Sequence, residues 1–164
     1  MAHIWLIGMM GTGKTTVGAL VAERLHMPLV DTDAMIMEAT GRTIPDLFAA
    51  SEEDFRLAER RVVEAVAQGS PAVVSTGGGV VMDDESVTLM ARSGTVVLLT
   101  ADAESITGRL GTGSSRPLFT GKESIEDLMR HRARQYGDAA DHTVDTAHRT
   151  PDEVAEEVIR CVNT

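Results

Sequence analysis

Ile4 to Thr16 reads IWLIGMMGTGKTT, a short apolar run that turns through three glycines into the start of a helix. Gly8, Gly13, Lys14 and Thr15 stand at the spacing G-x-x-x-x-G-K-[ST], the signature of a phosphate-binding loop, and the flanks it requires are both present. The pattern has a physical basis. Glycines at 8, 11 and 13 let backbone N–H groups approach phosphate oxygens where a Cβ would obstruct them. Lys14 supplies a compact cation for the β- and γ-phosphates, Thr15 a hydroxyl for Mg²⁺, and the helix N-terminus a partial positive charge. Gly11, Thr12, Gly13, Lys14, Thr15 and Thr16 are therefore the expected nucleotide-binding set.

The rest of the composition narrows the setting. At 164 residues the chain has the length of one domain and can bury about two-thirds of its unfolded surface. Aromatic residues make up only 3%, so the core must come from Val, Leu, Ile, Met and Ala. A formal net charge of −10 disfavours nucleic acid as a partner. Lys14 and Lys122 are the only lysines, whereas arginine is abundant and suited to clamping carboxylate or phosphate with two parallel hydrogen bonds. With Cys161 as the sole cysteine, neither an intrachain disulfide nor a Cys-rich zinc site is expected. The five histidines have no metal-ligand spacing and read as surface or capping residues. No stretch approaches the ~20 apolar residues of a membrane span and the N-terminus has no leader-like run, so the expectation is a soluble cytoplasmic protein with no membrane partner.

Working outward from the loop, apolar residues at 17, 20, 21 and 25 give a helix. Met27 to Val30 is a brief strand breaking into Asp31-Thr32-Asp33, where ligands sit in open α/β sheets. As alternating residues of an extended segment, the two carboxylates point to opposite sides and can serve different partners. Helical pieces follow at 34–39 and 44–50. Ser51 and Asp54 suggest a capping box for a helix reaching Gln68. A strand at 72–75 leads into Gly77, Gly78 and Gly79, and packing alone hardly justifies three consecutive glycines. Helices are expected at 84–92, 103–109 and 125–136, strands at 95–99 and 143–145, and Thr150-Pro151-Asp152-Glu153 opens a last helix. The polar, glycine-rich LGTGSSRP from Leu110 to Pro117 reads as a lid, spanning about 110–122. Alternating strands and helices without repeat or linker imply one domain over 1–164, an α/β fold with a mostly parallel sheet covered on both faces.

Taken in order, GMMGTGKTT, Asp31-Thr32-Asp33, Phe55-Arg56, Gly77-Gly78-Gly79, Arg116-Pro117-Leu118 and the RARQY of 132–136 resemble the shikimate kinases across nearly the whole chain. The resemblance implies a three-layer P-loop kinase fold with a five-stranded parallel sheet in the order 2-3-1-4-5 and a flexible lid. It implies ATP- and Mg²⁺-dependent phosphorylation of the 3-hydroxyl of shikimate, a step toward the aromatic amino acids, by a monomer. It assigns Mg²⁺ to Thr15 and Asp31, the reacting hydroxyl to Asp33, and the substrate carboxylate to Arg56 and Arg132, with Arg134 the competing choice. Gly77, Gly78 and Gly79 would approach the substrate ring and donate N–H groups. Arg116 would neutralise the moving phosphoryl group, and Arg109 and Arg149 would flank adenine. Glu59, one turn from Arg56, is either its ion-pair partner or an exposed neighbour. Phe119 stands where a second leucine is common in the family.

Two other readings fit the loop. Another small-molecule kinase, for gluconate or a nucleoside monophosphate, would share it. A catalytically silent nucleotide-binding module would be expected to lack Lys14, Asp33 or Arg116, all of which are present.

Overall fold

The computed structural model describes residues 2–110 and 122–164. Arg116, Phe119 and the body of the expected lid lie outside these residues. Five parallel strands form one sheet: β1 (His3–Ile7), β2 (Leu29–Asp31), β3 (Val73–Ser75), β4 (Gly94–Thr100) and β5 (His142–Asp145), in the order β2-β3-β1-β4-β5. This is the expected order, and it puts β1 in the centre, so the loop leaving it opens at the C-terminal edge of the sheet.

Alternation along β1 explains how the layers form. Trp5 and Ile7 face one side and Ile4 and Leu6 the other, and all are buried. On the Leu6 side, Val17 and Val21 of α1 (Lys14–Leu25) and Val154 and Val158 of α8 (Pro151–Val162) complete one cluster. On the Trp5 side, the larger cluster gathers residues from α2 (Thr32–Thr40), α3 (Ile44–Ala50), α4 (Glu52–Gln68), α5 (Asp84–Ser93), α6 (Ala103–Leu110) and α7 (Lys122–Ala139). The indole of Trp5 donates to Ser93 Oγ at 3.0 Å, so its single polar group is satisfied.

The local signals at the helix starts hold. Ser51 Oγ accepts from Asp54 N–H at 3.1 Å, and Thr150 Oγ1 from Glu153 N–H at 3.2 Å. Two expectations need correction. The strand ends at Asp31, whose carboxylate accepts from Ala34 N–H at 3.1 Å and caps α2, so Asp33 lies in the first helical turn and not in an extended segment. The carboxylates diverge because the chain turns from strand to helix between them. The histidines are not all surface or capping residues either. His26 does close α1 in a left-handed conformation, but His3 is buried and its Nδ1 accepts from Ala72 N–H at 3.1 Å, which ties the start of β1 to β3.

Candidate active site

The loop between β1 and α1 is held open by backbone geometry. Gly8 has φ of 145°, and a Cβ there would lie 2.4 Å from the Leu99 carbonyl oxygen; Gly13, at φ 92°, is the left-handed residue before α1. Lys14 is buried and curls back over the loop, donating from Nζ to the carbonyls of Gly8 at 2.7 Å and Met9 at 2.9 Å. Its charge is thus fixed over the cradle in which phosphates would sit. Thr12, also buried, donates to the Met9 carbonyl at 2.9 Å. Thr16 lines the same cleft beside Gly11 and Gly13.

Across the cleft, Thr15 Oγ1 donates to Asp31 Oδ2 at 3.4 Å and lies 3.1 Å from Ser75 Oγ. One carboxylate and two hydroxyls facing a phosphate cradle suit Mg²⁺, which keeps most of its waters and takes few protein ligands. Among the described residues no group of three or more His, Cys, Asp or Glu could hold a metal. The sequence reading missed Ser75. It pairs in register with Asp31 at the ends of adjacent strands, and its place just before the glycine triplet was the available signal.

Arg109 and Arg149 reach the opposite end of this edge. Arg109 donates to the Gly11 carbonyl at 3.0 Å and to the Thr146 carbonyl and hydroxyl at 3.0 and 3.1 Å. Arg149 donates to the Asp145 carbonyl at 3.0 Å and pairs with Glu157 at 2.5 Å. Protein acceptors therefore engage both guanidinium groups, and what they offer a nucleotide base is chiefly a planar face.

A second cavity adjoins the first. Asp33, Phe55, Arg56, Glu59, the three glycines and Arg132 line it, with Met10, Ile44 and Phe48 supplying apolar wall. Here the glycine triplet acquires a reason. A Cβ on Gly77 would come 2.8 Å from Asp33 Oδ1 and 3.1 Å from Glu59 Oε2; one on Gly78, 3.3 Å from Arg132 Nη1; one on Gly79, 2.4 Å from Arg56 Nη2. Three successive residues each lie against a different charged side chain, and at Gly77 and Gly79 a Cβ would displace that side chain, whereas at Gly78 it would only crowd it. The Gly77 N–H donates to Thr32 Oγ1 at 3.3 Å, which leaves the amides of Gly78 and Gly79 as the better placed donors for a ligand.

Arg56 projects from α4 against the paired rings of Phe48 and Phe55, 5.5 and 5.1 Å from their centroids, and donates to Glu59 Oε1 at 2.9 Å. Glu59 is the ion-pair partner and not an exposed neighbour: its side chain is 1% exposed and Oε2 has no hydrogen-bond partner. Burial pushes the Glu59 carboxyl above the usual carboxylate range, opposed by Arg56 and aided by the charge of Asp33. Arg132 of α7 is 5% exposed, and its Nη1 is likewise buried without a partner. Arg134, the competing choice, is 89% exposed and pairs with Asp138 at 3.5 Å. Periodicity in RARQY could not separate the two arginines, because which of them faces the core depends on how α7 packs.

Asp33, Met10, Gly77 and Gly78 line both cavities, so the carboxylate of Asp33 stands at the junction of the phosphate cleft and the acceptor cavity. A phosphate-binding loop joined in this way to a small cavity with two guanidinium groups defines a P-loop phosphotransferase built for a small anionic acceptor. The family model for shikimate kinase matches residues 10–163. A shikimate kinase of Pelotomaculum thermopropionicum is 40% identical over 97% of this chain and 94% of its own length. The structure of shikimate kinase from Acinetobacter baumannii in complex with shikimate superposes with a TM-score of 0.95 at 30% identity, covering 99% of this chain and 93% of that one. The shikimate kinase of Aquifex aeolicus gives a TM-score of 0.85 at 31% identity, over 98% and 96% of the two chains. The chain belongs to the shikimate kinase family.

Proposed function

We propose that the two cavities hold the partners of one phosphoryl transfer, ATP in the loop cleft and shikimate in the acceptor cavity, with the 3-hydroxyl of shikimate directed at the γ-phosphate past Asp33. The activity is that of the family, ATP-dependent phosphorylation of shikimate on the route to aromatic amino acids. The observation that carries the residue assignments is the placement of Asp33 at the junction, with Arg56 and Arg132 in the acceptor cavity beyond it.

Phosphoryl transfer leaves the protein mainly the tasks of positioning reactants and stabilising charge. The amides of the loop and Lys14 hold the β- and γ-phosphates, and Arg109 and Arg149 flank adenine. Thr15 and Asp31, with Ser75, would hold Mg²⁺, which would neutralise phosphate charge. Arg56 and Arg132 take the carboxylate of shikimate, satisfying the buried Nη1 of Arg132, while Gly78 and Gly79 border the ring. Asp33 then accepts a hydrogen bond from the reacting hydroxyl and takes its proton as the phosphorus–oxygen bond forms and ADP leaves. Arg116 meets the transferring phosphoryl oxygens from the lid. Residues 1–164 act as a single domain, a monomer in the cytoplasm. A net charge of −10 is in keeping with small-molecule rather than nucleic-acid partners. No described helix is long and apolar enough to cross a membrane.

The test is product formation. With Mg²⁺ and ATP the protein should convert shikimate to its 3-phosphate, and should act on gluconate and nucleoside monophosphates at least a hundredfold more slowly. Comparable kcat/KM on gluconate would overturn the assignment of the acceptor cavity.

A further inference from the structure

We infer that Tyr136 and the Arg60–Asp83 pair are positioning residues that brace the glycine segment from opposite sides and so set the gap between Arg56 and Arg132. The inference rests on the assignment of those two arginines to the substrate carboxylate. Its basis is a repeated arrangement. On α4, Arg60 stands one turn beyond Arg56; on α7, Tyr136 stands one turn beyond Arg132. The segment Gly77 to Asp83 runs between them, with Gly78 against Arg132 and Gly79 against Arg56.

Each helix holds that segment through the second residue of its pair. From α7, the Tyr136 hydroxyl donates to the Gly78 carbonyl. From α4, Arg60 grips Asp83 with two parallel bonds, Nε to Oδ2 at 3.0 Å and Nη2 to Oδ1 at 2.6 Å, and also reaches Glu85 Oε2 at 2.8 Å. Asp83 in turn accepts from Ser86 N–H and Oγ at 3.0 and 2.8 Å and caps α5. Between the two anchors the chain is stiff: a 3₁₀ turn, Val80–Met82, is closed by Val80 N–H to Gly77 O at 3.2 Å and Met82 N–H to Gly79 O at 3.0 Å. A displacement at either anchor is therefore carried to the glycines.

The contact at Gly79 makes the spacing matter. The position of its missing Cβ falls 2.4, 2.7 and 2.9 Å from three atoms of the Arg56 guanidinium, so this backbone cannot move toward α4 without pushing Arg56. Arg60, Asp83 and Tyr136 are not among the residues lining the acceptor cavity, so they act on a ligand through the segment they hold and, for Tyr136, also through the side chain of Arg132 that it meets. Both anchors suit the task chemically. Burial raises the Tyr136 phenol above its ordinary value, which keeps it a neutral donor, and a bidentate guanidinium–carboxylate pair fixes direction as well as distance.

The experiment compares Tyr136→Phe, Arg60→Met and Asp83→Asn with the parent enzyme, measuring kcat and KM for shikimate and for ATP. The same constants are measured with shikimate carboxamide, which lacks the negative carboxylate. The expected result is a rise in shikimate KM of about 5- to 30-fold in each variant, with ATP KM and kcat within about threefold of the parent. The preference for the acid over the amide should fall by a similar factor, which general loosening of the fold would not produce. Unchanged shikimate KM, or equal losses for acid, amide and ATP, would overturn the inference while leaving the activity in place. A parent enzyme without activity on shikimate would overturn the functional reading first, and this inference with it.

Discussion

Lys14 and Arg132 are both buried cations lining adjoining cavities, yet their surroundings differ. Lys14 Nζ rests on the carbonyls of Gly8 and Met9, residues of its own loop. Across the junction, Arg132 Nη1 and Glu59 Oε2 are buried with no hydrogen-bond partner. An unpaired buried polar atom costs on the order of 1–3 kcal/mol, more when charged. The phosphate side is thus preformed by local contacts, whereas the acceptor side keeps polar atoms in reserve. A ligand carboxylate bound there recovers part of that cost and adds selectivity, because a neutral ligand would leave the cation buried and unmatched.

Variants that disturb one side and spare the other test this contrast. The largest effect belongs to Asp33, at the junction. Asp33→Asn keeps the shape but removes the proton acceptor, so kcat should fall about 10²–10⁴-fold with shikimate Kd nearly unchanged. Loss of Mg²⁺-dependent nucleotide binding with normal kcat would instead move Asp33 to the metal. Next is Lys14→Met, which removes a cation poised over the transferring phosphate and should lower kcat by about 10²–10³-fold in a folded protein. Shikimate affinity, measured by calorimetry without nucleotide, should stay within twofold; a large loss there would erase the distinction between the two sides.

The smallest effect is at Glu59, and it depends on pH. Its carboxyl is raised by burial, so over the interval between its unfolded and folded values the native state holds the extra proton, and stability falls as pH rises through that interval. Glu59→Gln removes that loss. Its Tm relative to the parent should therefore become more favourable from acid to neutral pH, while shikimate KM rises several-fold because Arg56 loses its charged partner. A Tm difference that is flat across this range would show that burial does not raise the Glu59 carboxyl.

The same contrast decided what could be read from the sequence. The phosphate loop is contiguous, its residue types are dictated by close approach to phosphate, and positions 8, 13, 14 and 15 were enough to place it. Layering followed from strands alternating with helices along the chain, and strand order from family resemblance alone. The acceptor side was legible only through resemblance, because it is assembled from α2, α4, the glycine segment and α7, and no local pattern records their packing. That is why only resemblance, and not periodicity, preferred Arg132 to Arg134. Asp31 and Asp33 were expected to diverge as alternating residues of an extended segment, whereas they diverge because Asp31 caps α2 and Asp33 lies in its first turn, a turn that the apolar pattern does not record. Ser75 was missed because a lone serine closing a strand carries no motif. The glycine triplet was noticed, but the three side chains that require it, Asp33, Arg132 and Arg56, became visible only in three dimensions.

The central claim is that Arg132 binds the negative carboxylate of the acceptor. Its most direct test is a cycle of four calorimetric titrations, shikimate and shikimate carboxamide into the parent and into Arg132→Ala. The substitution should weaken shikimate by about 2–5 kcal/mol and the carboxamide by less than about 1 kcal/mol. Equal losses for the two ligands would contradict it, and would mean that Arg132 supports the cavity without recognising the charge.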